Sequence, residues 1–274
     1  MKPARFDYLR AETLAEAHRA LAENTEARVI AGGQTLIPML SMRLARPPLI
    51  VDIMRLDALK KIEGKSGAIR VGAGVRQAQL LAWEGLAEKQ PLLAAALPWV
   101  GHAQTRNRGT VCGSVAHADP SAEIPLTLVA LNGTIELSGK RGSRKVAAPE
   151  FFTGLMTTAR SDGEMIEAVW FPLRKPDTGY AFFEYGRRHG DFAIVAAAAV
   201  ATRDSVRLTI GGVADRPVAR EFKTADTTAL ESSLNEFAWS LEARDDLHAT
   251  ASYRRELVRQ IGARVIGEAR SCLT

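Results

Sequence analysis

The stretch TRNRGTVCGSVAHADPSAEIP, residues 105–125, is the most informative part of this sequence. It places Gly109 and Gly113 among hydroxyl and amide side chains, and it closes with Asp119 and Glu123. Glycine permits positive φ angles and lets the backbone approach a ligand closely. The pattern is typical of neither a strand nor a helix interior, so it predicts a long polar loop between apolar segments. Such a loop is more often functional than idle, although a solvated connection rich in turn formers would have a similar composition.

The composition indicates a globular chain that does not bind nucleic acid. Its 274 residues suffice for one large domain or two, with 46% hydrophobic and 24% charged residues. The formal net charge is only +5 and no run of five like charges occurs, so nothing predicts a nucleic-acid-binding arm. The two cysteines, Cys112 and Cys272, exclude a disulfide framework and a cysteine-ligated iron–sulfur or zinc site within this chain.

The N-terminal residues and the hydropathy predict a cytoplasmic protein. The first residues, MKPARFDYLRAETL, lack an apolar signal core. No segment reaches about 18 uncharged apolar residues, so we expect no membrane span. A reducing location suits the low cysteine content.

A second glycine loop lies nearer the N-terminus. Residues 31–36, AGGQTL, follow a short apolar run at 28–30 and precede a helical pattern. Backbone amides at the start of a helix, without side chains in the way, bind phosphate groups. If this loop faces residues 109–114, the two could enclose a diphosphate; the alternative is two ordinary glycine turns. Neither loop is followed by the lysine of an ATP-hydrolysing P-loop.

The remaining pattern predicts a mixture of helices and antiparallel hairpins. We expect a hairpin across residues 65–67 and a buried helix at 122–131. The alanine-rich run at 194–201 could be helical by propensity, but the turn residues at 203–205 favour a second hairpin. Residues 175–179, KPDTG, are the best candidate for a linker between domains.

Two long segments and several shorter ones resemble a known family. AGGQTLIPMLSMRLARPPLIVDI (31–53) and TRNRGTVCGSVAHADPSAEIP (105–125) are similar to the two flavin-binding signatures of the medium subunits of molybdenum hydroxylases. These proteins are heterotrimeric relatives of carbon monoxide dehydrogenase and xanthine dehydrogenase. The resemblance continues, with shorter motifs, through residues 151–154, 187–193, 211–217 and 246–255.

The resemblance implies an α+β fold with two domains. Residues 1–174 would form a vanillyl-alcohol-oxidase/PCMH-type FAD-binding domain, with subdomains at about 1–55 and 56–174. Residues 175–274 would form a C-terminal α+β domain of the CO dehydrogenase flavoprotein type.

The resemblance also implies a site for non-covalently bound FAD. The two glycine loops would hold the diphosphate, Asp119 and Glu123 would accept hydrogen bonds from flavin or ribose hydroxyls, and Phe192 would lie against the isoalloxazine. We assign no catalytic residue and no metal ligand. The cofactor-binding residues expected are Ala31, Gly32, Gly33, Gln34, Thr35, Leu36, Thr105, Asn107, Gly109, Thr110, Val111, Cys112, Gly113, Ser114, Asp119, Glu123 and Phe192.

Some residues depart from the family pattern. Cys112 replaces a glycine often found there, and we interpret it as a small buried filler. Glu184 stands near a position where some relatives carry lysine, so a basic contact to the flavin would have to come from Arg187 or Arg188. His102 and His117 are interpreted as loop and packing residues.

The function implied is electron transfer within a larger enzyme. A small partner subunit would carry two [2Fe-2S] clusters and a large one the molybdopterin, in a dimer of heterotrimers. The FAD of this chain would accept electrons from the clusters and pass them to an external acceptor. Two alternatives are a stand-alone flavin-dependent oxidoreductase of the same fold and a module that has lost its flavin.

Overall fold

The described part of the protein contains four β-sheets connected by mostly short helices. The structure, a computed structural model, describes residues 2–223 and 227–273. The strands are β1 Asp7–Arg10, β2 Arg28–Ile30, β3 Leu49–Asp52, β4 Ile62–Lys65, β5 Ala68–Gly72, β6 Thr134–Gly139, β7 Gly142–Ala147, β8 Phe152–Gly154, β9 Thr157–Thr158, β10 Glu164–Pro172, β11 Gly179–Tyr185, β12 Val195–Ala201, β13 Ser205–Gly211 and β14 Val218–Lys223. The α-helices are α1 Leu14–Glu23, α2 Leu36–Ser41, α3 Gln77–Leu81, α4 Leu86–Lys89, α5 Pro91–Ala96, α6 Ala103–Arg108, α7 Val111–His117, α8 Glu123–Ala130, α9 Ala148–Phe151, α10 Thr227–Ser240 and α11 Ala251–Ser271. Short 3-10 turns occupy Asp57–Lys60 and Leu97–Trp99.

The N-terminal sheet is parallel, in the order β1-β3-β2. Helix α1 connects β1 to β2, and Thr13 caps it by accepting a hydrogen bond of 3.1 Å from the amide of Glu16. The Glu16 carboxylate bonds the amide of Glu12 at 2.8 Å, one residue before the cap. The parallel arrangement brings the ends of β2 and β3 to one edge, where the first glycine loop begins.

The second sheet is antiparallel, in the order β4-β5-β10-β6-β7. Its first hairpin turns at Ser66 and Gly67, which both have positive φ angles of 52° and 72°, as a two-residue hairpin turn requires. The hairpin predicted across residues 65–67 is therefore confirmed. Strand β10 lies between β5 and β6, so it joins segments far apart in sequence into one sheet.

Residues 105–125 are not the long loop that their composition predicts. They contain the end of α6, all of α7 and the start of α8. Thr110 caps α7 by accepting from the amide of Gly113 at 3.0 Å, and the fully buried Val111 and Val115 anchor the helix in the core. Tertiary burial thus stabilises a seven-residue helix that would be marginal alone.

The third sheet is an antiparallel meander, β11-β12-β13-β14, whose two faces are both covered. One face packs on α10 and α11 in a core that includes Leu208, Ile210 and Val258. The opposite face packs on α5 and α8. The alanine-rich run is strand β12, as the hairpin prediction required. Its small, buried side chains let helices approach the sheet from both sides.

The described ranges contain no helix long and apolar enough to cross a membrane.

Candidate functional site

A cavity of about 730 Å³ lies where the two glycine loops meet. Its walls come from the loop between β2 and α2, from α7 with the residues that follow it, from the β8–β9 hairpin, and from the segment 190–192. The expected site residues that line it are Ala31, Gly32, Gly33, Gln34, Thr35, Leu36, Thr105, Gly109, Thr110, Cys112, Gly113, Ser114, Asp119, Glu123 and Phe192.

The first wall is a run of backbone amides without partners. Considering residues 2–223 and 227–273 only, the N–H groups of residues 32–36 donate to no other group of the chain. Gly33 has a φ of 71°, which permits the sharp turn from the strand into α2. Such a series of free donors forms a concave anion-binding surface.

The two glycine loops touch each other through their backbones. A Cβ atom added to Gly32 would lie 2.2 Å from the carbonyl oxygen of Arg108 and 2.7 Å from the Cα of Gly109. No side chain fits in that space. Glycine at position 32 is therefore required by the contact between the two walls, apart from any ligand.

The second wall begins at the capped end of α7. A Cβ atom on Gly113 would lie 2.7 Å from the Oγ1 of Thr110, the atom that caps the helix. Cys112, between them, is buried, and its Sγ donates to the carbonyl oxygen of Val71 at 3.5 Å. Burial raises the pKa of the Cys112 thiol to about 12, so this sulfur is an unreactive packing group at neutral pH.

The acidic end of the cavity combines Asp119 and Glu123. Asp119 Oδ1 accepts from the amide of Ser121 at 2.8 Å, and Oδ2 is 3.9 Å from Nε2 of His117, which also lines the cavity. Glu123 is the first residue of α8 and is 7% exposed. Burial, and secondarily the charge of Asp119, raises the pKa of Glu123 to about 7.

Two of the expected residues lie away from the cavity, and one lies at its rim. Asn107 is exposed on α6 and is not part of the lining. Val111 is fully buried in the core, and its amide donates to the carbonyl of Val75 at 3.1 Å, so neither its side chain nor its N–H faces the cavity. Phe192 is 71% exposed, an unusual position for a large apolar side chain.

Sequence reasoning missed several lining residues. Gln77 is 5% exposed, and its Oε1 has no hydrogen-bond partner within the described chain. The sequence did contain a signal at this position: Gln77 stands where a third glycine would complete a GxGxxG dinucleotide-binding motif that begins with Gly72 and Gly74. Other lining residues gave no signal of their own, because the packing of segments distant in sequence brings them to the cavity; among them are Arg28, Met156, Thr157, Thr158, Arg160 and Glu164.

These features fit a dinucleotide that contains a diphosphate. The free amides supply donors for phosphate oxygens, the glycines keep Cβ atoms out of the way, and the unpaired Gln77 Oε1 is an acceptor awaiting a donor. Fold and cavity together define an α+β protein whose site is suited to a dinucleotide.

Comparison with known proteins identifies the family. The model of the FAD-binding domain in molybdopterin dehydrogenase matches residues 4–174, and the model of the CO dehydrogenase flavoprotein C-terminal domain matches residues 180–269. The chain belongs to this family of FAD-binding oxidoreductase subunits.

Relatives match along nearly the whole length. The chain is 35% identical to the 6-hydroxypseudooxynicotine dehydrogenase complex subunit alpha of Paenarthrobacter nicotinovorans, with 98% of this chain and 96% of the relative covered. It is 34% identical to the nicotine 6-hydroxylase medium subunit of the same organism, covering 98% and 99%. The solved structure of reconstituted CO dehydrogenase from Oligotropha carboxidovorans superposes with a TM-score of 0.94 at 29% identity, covering 99% of this chain and 100% of that one. The expected fold class is thereby confirmed.

Proposed function

We propose that this chain is the FAD-carrying electron-transfer subunit of a heterotrimeric molybdenum hydroxylase. It would accept electrons from the [2Fe-2S] clusters of a partner subunit and pass them to an external acceptor. The observation that carries the proposal is the cavity between the two touching glycine loops, within a chain of the FAD-binding family.

The residues of the cavity would divide the work of binding. The free amides of residues 32–36 would hold the diphosphate, and Asp119 and Glu123 would bond hydroxyl groups of the cofactor. Phe192, at the rim, would cover the isoalloxazine from solvent. When bound, the flavin supplies the redox chemistry, and the chain supplies binding, orientation and exclusion of water.

The other cofactors would lie on partner subunits. The chain has two cysteines, too few to ligate an iron–sulfur cluster, whereas its relatives are named as subunits of larger complexes. We place the clusters on a small subunit and molybdopterin on a large one, in a cytoplasmic dimer of heterotrimers. Within this chain, we assign residues 1–174 to the FAD-binding domain and 175–274 to the C-terminal domain.

Two measurements test the proposal. Purification of the native complex, followed by joint determination of flavin, iron and molybdenum, should find all three with two other chains. The isolated chain should acquire a flavin absorbance band when FAD is added and should have no substrate activity of its own. Failure to take up FAD would contradict the proposal, and turnover by the chain alone would favour the stand-alone oxidoreductase.

A further inference from the structure

A buried arginine near the start of α11 bonds the backbone of two segments that lead to the cavity. Arg254 is 5% exposed, and its Nη1 donates to the carbonyl oxygens of Ile194 and Gly212, each at 2.6 Å. Its Nη2 donates to Oδ2 of Asp246 at 2.5 Å. Arginine is seldom buried this deeply unless its donors are paired, and bonds from a charged donor are stronger than neutral ones. Arg254 therefore ties α11 firmly to three separate segments.

The first of these segments carries Phe192. It is the connection between β11 and β12, and its residues Gly190, Asp191 and Phe192 line the cavity. The connection ends at Ile194, whose amide donates to the carbonyl of Tyr185 at 2.8 Å. Both backbone groups of Ile194 are therefore held, the N–H by the end of β11 and the carbonyl by Arg254.

The middle of the same connection rests on the turn before α6. A Cβ atom on Gly190 would lie 2.5 Å from Nδ1 of His102 and 3.0 Å from the carbonyl oxygen of Gly101, which also lines the cavity. The rings of His189 and Trp99 lie 4.9 Å apart. The connection is thus supported from two sides, by this turn and by Arg254.

The second segment leads to the acidic end of the cavity. Gly212 has a φ of 79°, and a Cβ atom there would lie 2.9 Å from the carbonyl oxygen of Ile194, so the two bonded segments touch. The amide of Gly212 donates to the carbonyl of Pro120 at 2.8 Å, and Pro120 directly follows Asp119. A continuous series of bonded groups therefore leads from the guanidinium of Arg254 through Gly212 to the segment that carries Asp119.

The bonding pattern requires the shape of an arginine side chain. Asp246 is itself fixed, because its Oδ1 accepts from the amides of His248 and Ala249 at 2.8 and 2.9 Å. Its other carboxylate oxygen orients the guanidinium, whose remaining donors reach the two carbonyls. A planar guanidinium presents several donors in fixed directions, whereas a lysine ammonium is a compact point charge.

We propose that Arg254 is a positioning residue for the cofactor site, which holds the segment of Phe192 and the segment of Asp119 in place together. Arg254 does not itself line the cavity, so it acts through the backbone of Ile194 and Gly212. The inference rests on the proposed function, because it takes FAD as the occupant of the cavity and Phe192 as the cover of the isoalloxazine.

The first test uses the full-length chain reconstituted with FAD. Arg254→Met keeps an apolar stem but removes every donor, and we expect the dissociation constant of FAD to rise about tenfold or more. The visible circular dichroism of the bound flavin should change in the same way as in Phe192→Ala, since both variants disturb the cover of the ring. Adding Arg254→Met to Phe192→Ala should then change that spectrum no further, because the two residues act through one element.

A matched control lies on the same helix. Arg259 donates through Nη1 to Oδ1 of Asn235 at 2.8 Å and pairs with Glu256, so it ties α11 to α10 with no bond toward the cavity. Arg259→Met should keep the wild-type dissociation constant and flavin spectrum. Asp246→Asn is a milder variant for the case that Arg254→Met does not fold. It removes the charge that orients Arg254, and it should shift the flavin spectrum in the same direction by a smaller amount.

A second readout needs no flavin. Hydrogen exchange at the amides of Ile194 and Gly212 in the flavin-free chain should be about tenfold faster or more in Arg254→Met, because their segments open locally. Exchange at these amides should stay at the wild-type rate in Arg259→Met. A wild-type chain that binds no FAD contradicts the proposed function, while the exchange rates still decide the role of Arg254. The role is refuted if those rates are unchanged in the Arg254 and Asp246 variants, or if both variants bind FAD with the wild-type affinity and spectrum.

Discussion

Gly32 and Arg108 are in backbone contact where the two glycine loops meet, so close that a Cβ atom on Gly32 would lie 2.2 Å from the carbonyl oxygen of Arg108. This contact sets the distance between the two glycine loops. Gly32 therefore helps to position the second wall, although it lies far in sequence from α6, the helix that ends at Arg108.

Gly32→Ala should separate the two walls. Forcing a methyl group into a packed site costs about 1–3 kcal/mol, and we expect the free energy of unfolding to fall by that amount and FAD affinity to fall about tenfold or more. Gly64→Ala, on a strand where an added Cβ meets nothing within 4 Å, is the control. Urea unfolding and flavin fluorescence titration measure both effects. Equal FAD affinity in the two variants would show that the contact does not shape the cavity.

Gly113→Val should lose flavin. The new side chain would collide with the Thr110 Oγ1 that caps α7, because the Cβ alone comes within 2.7 Å of it. The same substitution at Gly267, on α11 with nothing within 4 Å, should leave flavin content unchanged. The flavin-to-protein absorbance ratio of folded protein is the measurement. A folded Gly113→Val protein with full flavin content would refute the placement of the second wall.

Gln77→Leu should separate stability from binding. The substitution removes a buried oxygen that has no partner in the described chain, so we expect the flavin-free protein to be as stable as the wild type or more stable. FAD affinity should fall, since the cofactor loses a hydrogen-bonding group in the lining. Thermal unfolding without FAD and a binding isotherm give the two values. An unchanged dissociation constant would remove Gln77 from the site.

Cys112 should not react with thiol reagents in the native protein. Its pKa is raised to about 12 by burial, whereas Cys272 is exposed. We expect one thiol per chain to be labelled at neutral pH, and a second only after unfolding. Cys272→Ser should abolish the native reaction, and labelling that persists in that variant would mean that Cys112 is accessible.

The stability of the flavin-free chain should depend on pH through Glu184. Its pKa is raised to about 8 in the folded state, so above its unfolded value, about 4.3, the unfolded chain releases a proton that the folded chain retains. The contribution of Glu184 to the free energy of unfolding therefore falls as pH rises from about 4.3 to about 8, and it is constant at higher pH. Glu184→Gln should make that decline shallower, by at most about 1.4 kcal/mol per pH unit. Urea unfolding across the range tests it, and identical slopes in both proteins would contradict the buried, protonated state.

Local signals in the sequence were sufficient for part of the fold and site. The turn at Ser66 and Gly67, and the strand-to-loop transition before Gly32, follow from backbone preferences of neighbouring residues. The wall at Gly113 was correctly placed in the cavity, although its helix was missed. Helix α7 is held by the burial of Val111 and Val115, which depends on segments distant in the chain.

The remaining features depend on tertiary structure. In the sequence, Gln77 and Glu184 stand out only as departures from a pattern, Gln77 from a glycine motif and Glu184 from the resembling family. Their importance comes from burial without a hydrogen-bond partner, which only the packing of α8 and the sheets reveals. Val111 is the opposite case, a residue within the motif that does not face the cavity. Its side chain is buried in the core, and its amide donates to the carbonyl of Val75.

The hydrogen bond that the amide of Gly212 donates to the carbonyl of Pro120, at 2.8 Å, has a consequence for biosynthesis. The segment that carries Asp119 and Glu123 gains this support only when β13 and the turn after it have been made, since the bond joins residue 120 to residue 212. A growing chain that has completed both glycine loops would still lack one side of the cofactor cavity. We therefore expect FAD to enter late, after synthesis of the C-terminal sheet, and ribosome-bound chains that stop before β12 to capture none.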